Sequence, residues 1–353
     1  MTKVIRTVAT VAALAAFLLA MPGMAAAAEE VAVAGKATEP AAVAPALEVA
    51  PAPAEASETG GEQTSRIVEV RTSFTVRNVL ADAARNLTIV VPPSVLSQAG
   101  TQKVLDVKFS PEPTSTRQTP AGIEATYKVA EVAGFTTLTF EQVYTVELFG
   151  TAQPLIEEEL DARYLSAERG VESDNGKIRS KALAVTRGLK STESKVEAII
   201  RFVVDRLEYD LNAPSRNKGA LAGFETGVGV CQEYAGLFVA MARSVGIPAR
   251  LVYGWAQSTG LEGSLNGQNR HVWAEYYDEE KGWIAVDPTF AEVQEDLLAF
   301  DNQSHIAQDW TNSTYSASFG GRGLLSIMAN QSVTEVQNAP VAADESENTT
   351  AKR

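Results

Sequence analysis

Residues 227–255 read GVGVCQEYAGLFVAMARSVGIPARLVYGW, a helix, stop and strand pattern that begins at a cysteine. Ala235, Phe238, Met241, Ala242 and Val245 recur at the three- and four-residue intervals of one helix face, so a helix is expected from Cys231 to about Val245. Gly246 suits the left-handed position just past a helix end, and Pro248 prevents continuation. ARLVYGWA then reads as a strand. Cys231 is the only cysteine in 353 residues, so no disulfide can form within the chain. In an exported protein such a thiol is either reactive or paired with another molecule.

Downstream, HVWAEYYD from His271 and GWIAVD ending at Asp287 read as two strands joined by a short DEEKG segment, a hairpin. Side chains alternate along a strand, so His271, Trp273 and Glu275 share one face and Trp283, Ala285 and Asp287 share a face of the partner. Pairing 273 with 287, or 271 with 287, puts His271 and Asp287 on the same side, whereas a one-residue slip separates them. At the first turn of its helix, Cys231 meets free N–H groups and the positive end of the helix dipole, which stabilise a thiolate. Gly227 and Gly229 leave the approach to the sulfur open. Singly, each residue also has a structural reading: a small buried hydrophobe, a core histidine, a turn aspartate. Together they fit a nucleophile (Cys231), a base and later acid (His271) and a group that orients the imidazolium (Asp287).

Upstream of the cysteine, Ser191–Glu208 places Val196, Ile199, Ile200, Val203, Val204 and Leu207 on one helical face, with Ser191 or Thr192 as N-cap. A Gly-, Asn- and Pro-rich loop is expected over 210–230. From Arg66 to about Leu155 the period is two, in RIVEVRTSFTVRN, RNLTIVVPP, KVLDVKFSPEP, GIEATYKVA and FTTLTFEQVYTVEL. Short strands at that spacing imply a β-sandwich-like accessory domain over 66–155. Residues 29–65 are an Ala- and Pro-rich spacer and 329–353 a polar tail, both read as disordered. Lys3 and Arg6 ahead of the apolar run Val8–Ala20 and the small residues of MAAAAEE have the layout of an export signal over 1–28, cleaved after Ala26 or Ala28. The run is shorter than the ~20 residues of a membrane-spanning helix, so the mature form is expected to be secreted or extracytoplasmic without a span.

GVGVCQEYAGLFVAMARSVGIPARLVYGW followed by NRHVWAEYYDEEKGWIAVDPTF closely resembles the transglutaminase-like superfamily. The elements that agree are G-x-C at a helix start, GIPAR leading into a strand that ends in Gly, HVW, and GW-x-x-VDPT, over about Ile178–Phe290. The resemblance implies an α+β, papain-like core, with helices packed on an antiparallel sheet, within a catalytic domain over 156–328. It also implies a Cys231, His271, Asp287 catalytic order and protein or peptide substrates. Acyl transfer through a thioester then gives crosslinking, deamidation or proteolysis, according to whether an amine or water accepts. The alternative is a non-catalytic binding or envelope-assembly module on the same scaffold.

The backbone N–H of Cys231 is one expected oxyanion donor. Tyr209 reads either as a core aromatic or as a group supporting the site or its oxyanion. The loop QSTGLEGSLNGQN ahead of His271 is a lid or an ordinary hairpin loop. His305 reads as a surface residue in a polar segment. The formal charge of −14 argues against a nucleic-acid partner, which calls for clustered Lys and Arg. One Cys and two His do not suit a zinc site, and no EF-hand pattern supports calcium, so no cofactor is expected.

Overall fold

The computed structural model describes residues 31–33, 65–256, 263–264 and 270–336. The segment read as an export signal, most of the spacer and most of the loop ahead of His271 fall outside these residues. After β1 (Val31–Val33), the five period-two runs form β2 (Arg66–Asn78), β3 (Ala84–Val91), β5 (Gln102–Ser110), β7 (Gly122–Val132) and β8 (Thr137–Leu148), and two short strands outside those runs, β4 (Gln98–Ala99) and β6 (Ser115–Thr119), lie between them. Helices α1 (Gly176–Val185) and α2 (Thr192–Arg206) follow, then β9 (Glu208–Tyr209), α3 (Ala220–Thr226), β10 (Val228–Gly229) and α4 (Cys231–Ser244). Beyond them lie β11 (Ala249–Ala256), β12 (Gly263–Ser264), β13 (Arg270–Asp278), β14 (Gly282–Val286), β15 (His305–Asp309), β16 (Ser316–Gly321) and β17 (Leu325–Glu335).

Two sheets, ordered β1-β16-β3-β7-β6 and β12-β17-β2-β8-β5-β4, form the accessory β domain. Alternation along β2 turns Val68, Val70, Phe74 and Val76 inward. Phe74 and Val76 join Leu87, Ile89, Tyr127 and Phe140 in an apolar core, as a half-buried antiparallel sheet requires. The domain is not continuous in sequence. Strand β17 pairs with β2 from Leu325↔Asn78 to Glu335↔Val68, and β16 lies between β1 and β3. The boundary at residue 328 and the disordered reading of the tail from 329 are therefore corrected: residues 316–335 supply two sandwich strands. Their outward positions, such as the exposed Met328, dilute the local apolar signal, and their partners are remote in sequence.

The α+β core is organised around α4. Its residues from Glu233 to Arg243 are all buried, not one face alone, because α1, α2 and α3 pack against it as well as β13 and β11. Helix α2 starts where Ser191 Oγ accepts from the Ser194 N–H at 3.2 Å and buries Val196, Ile199, Ile200 and Val203. Gly246 takes φ 82° after α4, in the left-handed region that the GIPAR reading required. The loop expected over 210–230 contains α3, whose helical carbonyls at Phe224 and Glu225 accept from Arg206. Behind the helices lies the antiparallel sheet β14-β13-β11-β15.

The core and the sandwich share a buried boundary. Trp255 and Ile306 of the core pack with Val70, Val146, Leu148 and Val333 of the sandwich. Beside them the buried Gln102 acts like a short piece of strand: its Nε2 donates to the Ala307 and Leu96 carbonyls at 2.9 Å, and its Oε1 accepts from the Ala307 N–H at 2.8 Å. Strand β15 is thereby held by β11 on one side and by the accessory domain on the other.

Candidate active site

The hairpin of β13 and β14 pairs Ala274 with Val286 and Glu275 with Ala285, the register that sets 273 opposite 287. His271 and Asp287 consequently meet on one side, with His271 Nε2 2.6 Å from Asp287 Oδ2. The Cys231 side chain lies near enough to the His271 ring to help hold its proton. Since Nε2 is committed to Asp287, Nδ1 is the nitrogen that faces the sulfur. Cys231 is half-buried at the first turn of α4, where the leading N–H groups have no partner within the helix.

Asp287 is saturated with donors. Oδ1 accepts from the N–H groups of Thr289 at 2.9 Å and Phe290 at 3.3 Å. Oδ2 accepts from His271 and, at 3.2 Å, from His305 Nε2. His305 is 1% exposed, which corrects its reading as a surface residue. The segment around it, DNQSHIAQD, is polar in sequence, but every residue of β15 is buried, Ile306 and Ala307 against residues of the sandwich. The signal available was the short apolar pair Ile306–Ala307 inside that polar run.

Aromatic rings enclose both imidazoles. Phe290 stacks on His271 at 4.9 Å and 16°, Phe300 lies 4.3 Å from His305, and Trp273 meets His305 edge-on at 5.1 Å. Gly254 makes this possible, because a Cβ there would lie 2.7 Å from Trp273 Cη2. Burial alone would push the His271 imidazolium down, but the charge and hydrogen bond of Asp287, joined by Cys231, outweigh it and hold the ring at about 10. Burial likewise pushes Asp287 up, and the charges and donors of His271 and His305 outweigh it, keeping the carboxyl well below the usual carboxylate range. An imidazolium–carboxylate pair is thus the stable state of this site at neutral pH.

Among the described residues, His271, Asp287 and His305 also bring three ligating atoms within 4.8 Å of one another. The 2.6 Å between His271 Nε2 and Asp287 Oδ2 is shorter than the ~3.3 Å that two ligands ~2 Å from a tetrahedral zinc keep between them. As arranged, the cluster shares protons and not a cation.

The turn that leads into Cys231 is built by residues whose purpose the sequence hides. Glu233, fully buried two positions after Cys231, accepts from the N–H groups of Val230 at 3.2 Å, Lys218 at 3.1 Å and Gly219 at 3.3 Å. This is the N3 carboxylate half of a capping box; Val230, at the N-cap, has no oxygen for the other half. A Cβ at Gly229 would lie 2.6 Å from Glu233 Cβ, and one at Gly223 2.9 Å from it. Gly227 takes φ 80° as the C-cap of α3. The glycines before Cys231 therefore answer to packing and backbone conformation, in place of the open approach to sulfur read from the sequence. Tyr209 is tied in by the parallel ladder Val228↔Glu208 and Gly229↔Tyr209. Its ring lies 6.1 Å from that of Tyr234, and burial, with the nearby Cys231 as the next cause, pushes its phenol up to about 12. Tyr209 is a half-buried aromatic packed against the core, with Cys231 nearby.

A helix-borne cysteine facing a histidine and aspartate on an antiparallel sheet is the arrangement of the papain-like class of folds. Within that class, residues 179–288 match the model of the transglutaminase-like superfamily. A protein-glutamine gamma-glutamyltransferase of Pseudomonas aeruginosa is 30% identical over 127 residues, 33% of this chain and 19% of the relative. The uncharacterized protein YebA of Bacillus subtilis is 39% identical over 74 residues, 19% of this chain and 10% of that protein. The chain thus spans less than a fifth of either curated relative. Among solved structures, that of "a Putative Cysteine Protease" from Cytophaga hutchinsonii aligns with a TM-score of 0.52 at 19% identity, covering 79% of this chain and 93% of the other. That likeness extends the shared fold beyond the core. No helix among the described residues is long and apolar enough to cross a membrane.

Proposed function

We propose that the chain is an exported, cysteine-dependent acyl-transfer enzyme that acts on carboxamide or peptide groups of proteins. The observation that carries this reading is His271 standing between the Cys231 side chain and Asp287. The Cys231 thiolate attacks the carbonyl carbon. The tetrahedral intermediate collapses as His271 gives its Nδ1 proton to the leaving nitrogen, which departs as ammonia from a carboxamide or as an amine from a peptide, leaving a thioester. His271, now neutral, takes a proton from the acceptor. An incoming amine then gives an isopeptide crosslink, and water gives a carboxylate; either releases the thiolate. Developing negative charge on the carbonyl oxygen meets the Cys231 N–H, and the Tyr209 phenol, neutral below about 12, is the candidate second donor. Export rests on the basic, apolar and small-residue layout of residues 1–28.

Incubation with a glutamine-containing protein and a labelled primary amine, read by mass spectrometry, separates the outcomes: amine incorporation, deamidation or backbone cleavage. Cys231 is the sole cysteine, so a thiol alkylating agent modifies this thiol alone. Alkylated protein is expected to form none of these products. Undiminished product from fully alkylated protein overturns the proposal, and no product from the unmodified protein favours the binding module.

A further inference from the structure

The geometry points to His305 as a positioning residue of this site, one that holds the Asp287 carboxylate ionised and aligned on His271 by donating to the same oxygen from the other side. The inference rests on the acyl-transfer reading and extends its hydrogen-bond chain by one member. An ionised carboxylate offers about four acceptor sites, and Asp287 fills them with Thr289, Phe290, His271 and His305. Without His305, Oδ2 keeps a single donor in a buried setting, where an unmatched charge is costly.

The other face of the ring shows that His305 is fixed for this task. Its Nδ1 lies 2.8 Å from the Asp301 carbonyl oxygen, which can only accept. Its Nε2 lies 3.2 Å from a carboxylate, which when ionised also only accepts. Ser304 Oγ, 3.1 Å from Nδ1, is turned to donate to the Asp301 carbonyl as well, at 3.2 Å. An Nε2–H of His305 thus meets the ionised carboxylate, with Ser304 Oγ and the Asp301 carbonyl bracketing Nδ1. Phe300 and Trp273 pack on the ring and fix its orientation. The strand that carries it is gripped by Gln102 through Ala307, so the accessory domain contributes to where the second histidine sits. The titratable groups facing Asp287 are His271 and His305, with Cys231 beyond His271 and the Tyr209 phenol across the site.

Three proteins test this: wild type, His305→Phe, which keeps an aromatic ring without donors, and His305→Gln, whose amide nitrogen can replace Nε2. The first readout, the rate of Cys231 alkylation against pH, needs no known substrate. Loss of one hydrogen bond to a charged group predicts a rate about 10- to 100-fold lower in His305→Phe at neutral pH. Its acid limb should move to higher pH as Asp287 becomes easier to protonate, while His305→Gln keeps the wild-type limb. Variants that all match the wild type, or Phe and Gln variants slowed equally with an unmoved limb, overturn the role. The second readout uses the unmodified protein. It has two histidines, and nitrogen NMR at neutral pH should show a proton on His305 Nε2; an Nε2 without one overturns the proposal even where a variant fails to fold. Failure of the acyl-transfer reading looks different, since then alkylation of the wild type itself is no faster than that of a free thiol.

Discussion

Cys231→Ala is expected to lower acyl transfer by on the order of 10⁶-fold, and Asp287→Asn by on the order of 10⁴-fold, with both proteins still folded. The ranking follows from the geometry. Removing Sγ removes the bond-forming atom. Asparagine keeps Oδ1 for the Thr289 and Phe290 N–H groups but presents an N–H₂ to His271, which must change tautomer and loses its counter-charge. The pH dependence carries a sign as well. The imidazolium held at about 10 by Asp287 and Cys231 keeps the wild type competent far into the alkaline range. In Asp287→Asn the basic limb should fall toward the ordinary histidine value of ~6.5. Steady-state rates from pH 5 to 10.5 check both, and an Asp287→Asn protein with an unmoved basic limb would contradict the assignment of the charge.

The largest effect on stability is expected at Glu233. Replacement by alanine strands three N–H donors of the turn that leads into Cys231, those of Val230, Lys218 and Gly219. At about 1 kcal/mol or more for each stranded donor, the cost is on the order of 3 kcal/mol, read by denaturant unfolding. Burial raises the Glu233 carboxyl above its ordinary value even though backbone donors pull it down. A carboxyl raised in the folded state favours folding fully only below its unfolded value, and that contribution is lost as pH rises through the folded one. The wild type should therefore lose part of its stability across that mildly acidic window. Glu233→Ala should lack that slope, and equal slopes in the two proteins would refute the account.

Much of this site is legible in local sequence because its parts obey short-range rules. The stop at Gly246 and Pro248, the N-cap at Ser191 and the even spacing of the 271–287 hairpin depend on residues a few positions apart. The full burial of α4 was not legible, because periodicity reports one face and tertiary packing covers the others. His305 reads as exposed for a related reason: it reaches Asp287 across the sheet, from a strand whose polar flanks suggest the surface. Gly229 was assigned to substrate access, whereas its lack of a side chain answers to Glu233 four residues on. The closing strands of the sandwich carried an alternation too weak to stand out, and only pairing with β2 gives it meaning.

That pairing has a bearing on folding order. Arg66 and Glu335, joined at 3.3 Å, are 269 residues apart in sequence, while the helices and hairpin of the core make their contacts over far shorter spans. Contacts of such long separation form late, after the loop they enclose has been closed. The loop enclosed here is the whole core, so the strand that begins the domain waits for one of its two neighbours until the core has been made. A chain interrupted before β17 would carry its nucleophile and both histidines yet leave a long edge of β2 open, the kind of surface on which partly folded β proteins associate.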